Sequence, residues 1–277
     1  MNFERNNNIW ISHSAISDFE TCPRLYYYRN VYRNSNNRRV QIVNPYLTLG
    51  SVVHKTIEGV GRLPEEEKKL VSLSKLFEEN WQRYSGRRGG FSTPGDEESF
   101  KDRGIEMIKK AEASEVLKNE NYKLADELLK VRLFKGENLI LVGAIDWIEI
   151  LEGGEFHIID FKTGRSPEKK NSLQLPIYLI LVQYNFIQPV KKTSYWYLEK
   201  KETLSPFELD PAAEYVPLIK EKAQKIKEAI VNDAFDCQSG NGKCFKCKDY
   251  EAVINGQAEY LGVDLETDKD LYFLPWK

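Results

Sequence analysis

The chain has 277 residues, 41% of them hydrophobic and 30% charged, which is enough to bury a core and lies near the upper size of one domain. No apolar run reaches the roughly 18 residues of a membrane span, and the Asn-rich first ten residues lack the apolar core of a signal peptide. We therefore expect a soluble, cytoplasmic protein. Forty basic and 42 acidic residues give a net charge of −2, which excludes a uniformly basic polyanion binder.

Helices and strands are both expected, and they follow one another along the chain. A helical hairpin is predicted over residues 11–33, with Ser12 or Ser14 as the N-cap and Pro23 between its two short helices. Hydrophobic periodicity predicts further helices over Leu47–Glu58, over much of 65–129 with a loop at 85–95, over Leu173–Phe186 and over Pro211–Val231. Apolar, β-branched runs predict strands over Leu128–Phe134, Asn138–Ile150, Glu155–Phe161 and Thr193–Leu198, the first three as a meander. The expected fold is α/β (α+β), with helices flanking a mixed central sheet.

A basic, aromatic stretch runs from Thr21 to Ile57, where the sequence has no Asp or Glu. Its cationic and aromatic residues are Arg24, Arg29, Arg33, Arg38, Arg39 and Lys55, interleaved with Tyr26, Tyr27, Tyr28 and Tyr32. Such a stretch suits phosphates and unpaired bases. A surface helix with half-buried tyrosines fits the same pattern.

Asp146 and Asp160 both interrupt predicted apolar strands, where a buried charge is costly without a partner. A divalent cation such as Mg²⁺ would supply that partner. In an antiparallel hairpin centred on Gly153 the paired residue numbers sum to 306, so the two carboxylates face each other. A tight two-residue turn at Gly153-Gly154 would instead put them on opposite faces. We therefore predict a loop of three or more residues, or a bulge, at Glu152–Gly154.

Strand periodicity also places Lys162 on the face of Asp160. Two carboxylates, a metal and a lysine supply what phosphodiester hydrolysis requires, although a solvated edge hairpin with an Asp-Lys ion pair fits the same residues. Gln174 and Tyr178, four residues apart, share a face of the helix that follows. His54 lies on a predicted helix, where a histidine taken alone is more often a core or surface residue than a ligand.

The four cysteines are Cys22, Cys237, Cys244 and Cys247, three of them within eleven residues. In a cytosolic protein such a cluster, including a Cys-x-x-Cys pair, indicates metal or iron-sulfur ligands rather than disulfides.

Five motifs resemble, in order, those of RecB-like PD-(D/E)XK nucleases. They are SHSAISDFETCPRLYYYRNV (Ser12–Val31), LGSVVHKTIE (Leu49–Glu58), GAIDWIEI (Gly143–Ile150), IIDFKTG (Ile158–Gly164) and QLPIY (Gln174–Tyr178). The resemblance implies a restriction-endonuclease-like fold of four to five strands. It also implies that His54, Asp146 and Asp160 ligate Mg²⁺ or Mn²⁺, that Lys162 assists the attacking water, and that Gln174 and Tyr178 arrange the substrate and the active centre.

The cysteines are similar to those of an iron-sulfur subset of this family, which includes the CRISPR-adaptation exonucleases and the nuclease domain of AddB. The resemblance implies that Cys22 joins the C-terminal trio to hold a four-iron, four-sulfur cluster. The chain departs from the usual spacing, because Val253 stands where the last cysteine is expected and Cys237 lies upstream instead. Zn²⁺ at the same four thiolates, or a structural clasp without metal, remains an alternative.

On this interpretation residues 1–277 form one nuclease domain, with N-terminal helices at 11–60, a catalytic core at 127–200, a C-terminal helix and cysteine cluster at 211–250 and a tail at 255–277. The expected function is a metal-dependent DNA exonuclease on single-stranded or frayed DNA, in repair, recombination or CRISPR adaptation. No GxxxxGK[ST] phosphate loop is present, so unwinding would need a partner helicase or a recombination or CRISPR-adaptation protein. A non-catalytic DNA-binding or assembly subunit and a zinc-stapled RNA-processing protein are the alternatives.

Overall fold

The computed structural model describes residues 8–125, 128–133, 136–200, 203–237, 239 and 244–275. The strands are β1 (Ile9–Ile11), β2 (Arg39–Ile42), β3 (Tyr122–Lys123), β4 (Leu129–Val131), β5 (Leu139–Gly143), β6 (Trp147–Ile150), β7 (Phe156–Lys162), β8 (Val190–Tyr197), β9 (Ser205–Pro206), β10 (Glu259–Asp264) and β11 (Lys269–Phe273). The α-helices are α1 (His13–Thr21), α2 (Pro23–Tyr26), α3 (Pro45–Gly61), α4 (Glu65–Lys68), α5 (Leu73–Gln82), α6 (Pro94–Ala113), α7 (Glu115–Lys118), α8 (Gln174–Asn185), α9 (Ala212–Val231) and α10 (Lys248–Ile254). A π-helical turn covers Tyr27–Val31 and a 3₁₀ turn covers Gly86–Gly89.

The chain forms two compact units, the first from Met1–Ile16 and Ala111–Asn232 and the second from Ser17–Lys110 and Asp233–Lys277. The first unit contains a five-stranded sheet in the order β3-β6-β7-β8-β9 and a three-stranded sheet in the order β1-β5-β4. In the larger sheet β7 and β8 run parallel and the other neighbours run antiparallel. The expected mixed sheet is confirmed.

Helix α8 is the central helix of the first unit. The helix carries apolar side chains around its whole circumference, and every residue from Leu175 to Val182 is buried. It packs against β4, β5, β7, β8 and α9. Pro176 lies in its first turn, where the missing N–H has no intrahelical partner to lose. Helices therefore flank the sheet, as predicted.

Helix α9 is amphipathic, as its periodicity predicts. Ile219, Ala223 and Ile226 are buried as expected, and Ala229 is buried with them. Val216 and Ile230, also expected on the inner face, are half-buried. None of the helices in the described ranges is both long and apolar enough to cross a bilayer.

The run Asn138–Ile150, predicted as one strand, is divided. β5 belongs to the three-stranded sheet and β6 to the five-stranded sheet, so the predicted meander is wrong at this point. The break begins after Gly143, where an added Cβ would lie 2.8 Å from Cδ1 of Leu181 on α8. Glycine lets α8 approach the strand closely, and the chain then leaves β5. The first predicted strand is observed only as β4, and its predicted last residue, Phe134, lies outside the described residues.

The second unit joins residues far apart in sequence. β2 pairs in parallel with β11, and β11 pairs with β10 in an antiparallel hairpin. These two strands lie in the segment 255–277, which the sequence analysis named a tail. Helices α3 and α5 pack together through a buried core that includes Val53, Ile57 and Phe77.

Candidate active site and four-cysteine site

The β6–β7 hairpin has the register that aligns its two acidic positions. Trp147 pairs with Ile159 and Ile150 with Phe156, so paired residue numbers sum to 306. Leu151 N donates to Glu155 O (2.9 Å) and Gly154 N donates to Leu151 O (2.8 Å), which closes a three-residue loop. Gly154 has φ +80°, a conformation that glycine adopts without strain. The predicted three-residue loop is confirmed.

Asp160 and Asp146 differ in their surroundings. Asp160 lies inside β7 and is 1% exposed. Asp146 is half-buried and lies one residue before β6, not within a strand as the sequence analysis expected. Its Oδ2 accepts a hydrogen bond from the backbone N–H of Phe161 at 2.7 Å, which holds the Asp146 side chain beside the C-terminal part of β7.

Lys162, at the end of β7, shares the face of Asp160. Its Nζ lies 3.0 Å from Asp160 Oδ2 and donates a hydrogen bond to Gln174 Oε1. Gln174 Nε2 in turn donates to Asp160 Oδ1 (2.7 Å) and to the hydroxyl oxygen of Tyr178 (3.2 Å). Gln174, at the start of α8, therefore contacts both the aspartate and the lysine of the strand, and Tyr178 contacts Gln174.

Glu168 is a member of this cluster that the sequence analysis missed. Its Oε2 lies 3.3 Å from Lys162 Nζ, and its backbone N–H donates to the hydroxyl of Tyr197 (2.9 Å). The residue lies in the irregular segment between β7 and α8, among Arg165, Lys169 and Lys170. Hydrophobic periodicity does not extend into such a segment, so the sequence carries no signal that orients this side chain.

The charges of the cluster stabilise its protonation states. Burial lowers the pKa of Lys162, but Asp160 and then Glu168 outweigh it, so the pKa lies above its usual value. Burial raises the pKa of Tyr178 well above its ordinary range, and Asp160 and Asp146 raise it further. At neutral pH Lys162 is thus an ammonium ion that donates to Gln174, and Tyr178 is a neutral hydroxyl whose oxygen accepts from Gln174.

His54 lies on α3 in the second unit. Its Nδ1 is 3.9 Å from Oε1 of Glu58, one helical turn further on, and both side chains are partly exposed. An imidazole and a carboxylate on the same helix face are two potential ligand groups. Glu58 was not predicted as a ligand, although its four-residue spacing from His54 is visible in the sequence.

The four cysteines converge in the second unit. All four are buried and free of disulfides, and their Sγ atoms lie within 4.8 Å of one another. Cys247 Sγ is 3.7 Å from Cys237 Sγ. Leu25, Tyr28 and Tyr250 pack around the sulfurs. The site joins Cys22, before α2, to the segment from 237 to 247, as the expected link between N- and C-terminal segments requires.

The thiols differ in acidity. Backbone N–H groups of Cys247 and Lys246 donate toward Cys244 and lower the pKa of its thiol to about 7. Burial raises the pKa of Cys247 and of Cys22. Four buried thiols, one of them readily ionised, form a donor set that suits a metal centre. Four thiolates bound at about 2.3 Å to one tetrahedral ion lie roughly 3.8 Å apart, and a cube of four irons holds them farther apart.

Much of the basic, aromatic stretch is neutralised within the second unit. Arg24 pairs with Glu251 (3.1 Å), Arg29 with Asp18 (2.6 Å) and Arg38 with Asp268 (2.8 Å). Tyr26 is buried and the other three tyrosines are half-buried. For these residues the structure agrees with the alternative of a packed surface helix.

The first unit thus combines a mixed sheet flanked by helices with an Asp-Lys pair at the end of its central strand. The family model of the PD-(D/E)XK nuclease superfamily matches residues 10–251, and the chain belongs to this superfamily. Its members are mostly phosphodiester hydrolases that use divalent metals. A search of curated proteins finds no match. β10 and β11 lie beyond the matched residues.

Proposed function

We propose that the protein is a metal-dependent deoxyribonuclease that degrades single-stranded or frayed DNA from an end. The observation that carries the proposal is the network joining Asp160, Lys162, Gln174 and Tyr178, with Asp146 bonded to the same strand. A structural ion pair needs only two of these groups. Five polar groups gathered on one edge of a buried strand are better explained by catalysis.

Asp146 and Asp160 are the proposed carboxylate ligands of Mg²⁺ or Mn²⁺, with His54 as a further ligand, as the family resemblance implies. The donor set fits, because oxygen and imidazole ligands suit these ions and the Asp160 carboxylate is almost fully removed from water. When bound, a divalent cation would neutralise charge on the scissile phosphate and lower the pKa of a coordinated water.

The residues around Asp160 have separate roles in this proposal. Lys162, held as an ammonium ion, orients the attacking water and stabilises negative charge that develops on the phosphate. Gln174 fixes Asp160 and Lys162 together, since its amide donates to one and accepts from the other. Tyr178 is a positioning residue, because its hydroxyl contacts the Gln174 amide.

The four-cysteine site is proposed to hold a metal centre that ties Cys22 to the segment from 237 to 247. The family resemblance favours a four-iron, four-sulfur cluster. Sulfur atoms that all lie within 4.8 Å of one another favour a single tetrahedral ion such as Zn²⁺. Iron, sulfide and zinc analysis of anaerobically purified protein separates these occupants. Zinc without iron would refute the cluster, and no metal of either kind would leave a clasp of thiols.

The exonuclease activity and the pathway rest on the resemblance to CRISPR-adaptation exonucleases and the AddB nuclease domain. A protein partner, such as a helicase or a recombination or CRISPR-adaptation protein, would supply the DNA ends. Release of mononucleotides from end-labelled DNA tests the first point. Internal fragments as first products would show endonuclease action instead.

The decisive experiment is cleavage of end-labelled single- and double-stranded DNA with and without Mn²⁺. Asp160→Ala should abolish cleavage, and Lys162→Ala should lower kcat by about 100-fold. Lys191→Ala is the matched control, because this exposed lysine on β8 pairs only with Glu155 among the described residues. The Lys191→Ala variant should cleave DNA at the normal rate. Wild-type protein that binds DNA without cleaving it would indicate an assembly subunit. Faster cleavage of a matched RNA strand would indicate RNA processing.

A further inference from the structure

Three cations of the second unit have no part in the proposed active centre. Arg39 on β2 is the register partner of Lys269 on β11, so the two side chains lie side by side on one face of the sheet. Arg33, six residues before Arg39, follows the π-helical turn that ends at Val31. We call these three residues the cationic cluster. Arg33 and Arg39 are exposed and Lys269 is partly exposed.

The cluster differs from its basic neighbours because, among the described residues, no carboxylate lies within ion-pair distance of its three side chains. In the part of the chain that the structure describes, none of its three side chains forms an ion pair. Arg33 Nη1 donates to the backbone carbonyls of Asn30 (3.2 Å), Val31 (3.0 Å) and Tyr32 (2.8 Å), which are neutral acceptors. Lys269 Nζ donates to the Gln41 amide oxygen at 3.0 Å. The guanidinium of Arg33 is thus held in place while its charge is left uncompensated.

The charges of the cluster repel one another. Burial lowers the pKa of Lys269, and Arg39 and Arg29 lower it further. Partial desolvation of the Arg33 guanidinium lowers its pKa, and the charge of Arg39 lowers it further. Asp264, the register partner of Lys269 on β10, is the opposing charge, and its Oδ1 accepts from the backbone N–H groups of Glu266 and Thr267. A fold that holds like charges together gains when an anion binds between them.

We propose that the cationic cluster binds the phosphodiester backbone of a nucleic-acid strand. This inference rests on the proposed deoxyribonuclease function and adds to it a binding surface in the second unit. Guanidinium groups suit phosphate because their planar donors can bond two oxygens at once. Tyr32, which directly precedes Arg33 in the chain and is half-buried, is the proposed stacking partner for an unpaired base. β11 lies beyond residues 10–251, so the cluster depends on a strand outside the family match.

The test is equilibrium binding of a fluorescently labelled single-stranded oligonucleotide over a range of salt concentrations, in an Asp160→Asn background so that the strand stays intact. Arg39→Gln combined with Lys269→Gln should weaken binding on the order of tenfold at 0.1 M salt. The slope of log Kd against log salt should fall by about 1.4, since each lost contact to a single strand contributes about 0.7. Arg38→Gln is the matched control, because Asp268 and Asp270 already neutralise the adjacent arginine.

Unchanged affinity and salt slope in the double variant, with an unaltered thermal unfolding midpoint, would overturn the proposal. Polyglutamate serves as a second probe, for acidic peptides. If the double variant loses polyglutamate binding but keeps DNA binding, the cluster recognises an acidic peptide and the proposal is overturned. If the double variant unfolds early, the single Arg39→Gln variant replaces it, since this exposed side chain contributes no buried contact. If the wild-type protein binds DNA through the cluster but never cleaves it, only the proposed deoxyribonuclease activity is refuted and the binding proposal stands.

Discussion

The ammonium group of Lys162 lies between two carboxylates, 3.0 Å from Asp160 Oδ2 and 3.3 Å from Glu168 Oε2. Asp160 is inside the strand and Glu168 is in the segment that follows it. The lysine is therefore held from two sides, and Glu168 becomes a testable positioning residue.

Replacing Glu168 with Gln should reduce kcat by roughly tenfold, the usual scale for a partner that orients an active-site group. The amide removes one of the two negative charges that hold Lys162, while Asp160 remains. Steady-state cleavage kinetics would measure the effect. Glu199→Gln is the control, because Glu199 pairs with Arg165 (2.8 Å) and should retain full activity. Equal activity of both variants would remove Glu168 from the site.

Gly154→Val should destabilise the protein by about 1–2 kcal/mol, because a β-branched residue is strained at φ +80°. Activity should fall with stability, since this glycine closes the loop that sets the β6–β7 register. Denaturant unfolding and DNA cleavage are the measurements. Gly164→Ala, at an open position with ordinary backbone geometry, should change neither. A fully stable Gly154→Val variant would contradict the strain argument.

Stability should decrease as the pH falls below about 6.5, partly through His157. Burial lowers the pKa of this histidine, although Glu149 Oε2 at 2.8 Å opposes the shift. The unfolded chain protonates the imidazole near pH 6.5 while the folded protein does not, so acid favours unfolding until the folded pKa is reached. Denaturant unfolding at pH 8, 7, 6 and 5 should show a smaller decline for His157→Gln. An unchanged decline in that variant, with His13→Gln as reference, would exclude this cause.

Cys22→Ser should lower the metal content of the second unit and reduce Tm by about 5 °C or more. Cys22 is the thiol that the N-terminal helices contribute to the site, so its loss separates them from the segment carrying the other three. Elemental analysis and calorimetry would record both effects. Thr21→Ser, at the exposed neighbouring position, should match the wild type. If the Cys22→Ser variant keeps the wild-type Tm, and neither the variant nor the wild type contains metal, then the thiols are only packed together.

The hairpin at the candidate active site was predictable because its register depends only on the spacing of residues that are close together in the sequence. Residue alternation places Lys162 with Asp160, and the position of Gly153 and Gly154 sets the register. The break before Asp146 was not predictable in the same way, since the run Asn138–Ile150 is typical of a single strand. The break follows Gly143, where Leu181 of α8 approaches the strand closely, and this is a tertiary contact that the local sequence does not specify.

The pairing of β2 with β11 was also beyond the sequence. Arg39 and Lys269 are register partners although 230 positions separate them, and neither segment carries a local pattern that names the other. The four cysteines could be grouped from the sequence, because cysteines that bind a metal or a cluster do so together.

The division of the second unit has a consequence for biosynthesis. Its first half, residues 17–110, leaves the ribosome before the whole of 111–232, and its second half begins only at residue 233. During this interval Cys22 lacks the other three thiols of its site, and the edge of β2 lacks its partner strand β11. Nascent chains are therefore exposed to oxidation at one cysteine and to wrong pairing at one strand edge. Chains truncated before Lys269 would lack β11, and β2 would then keep its open edge.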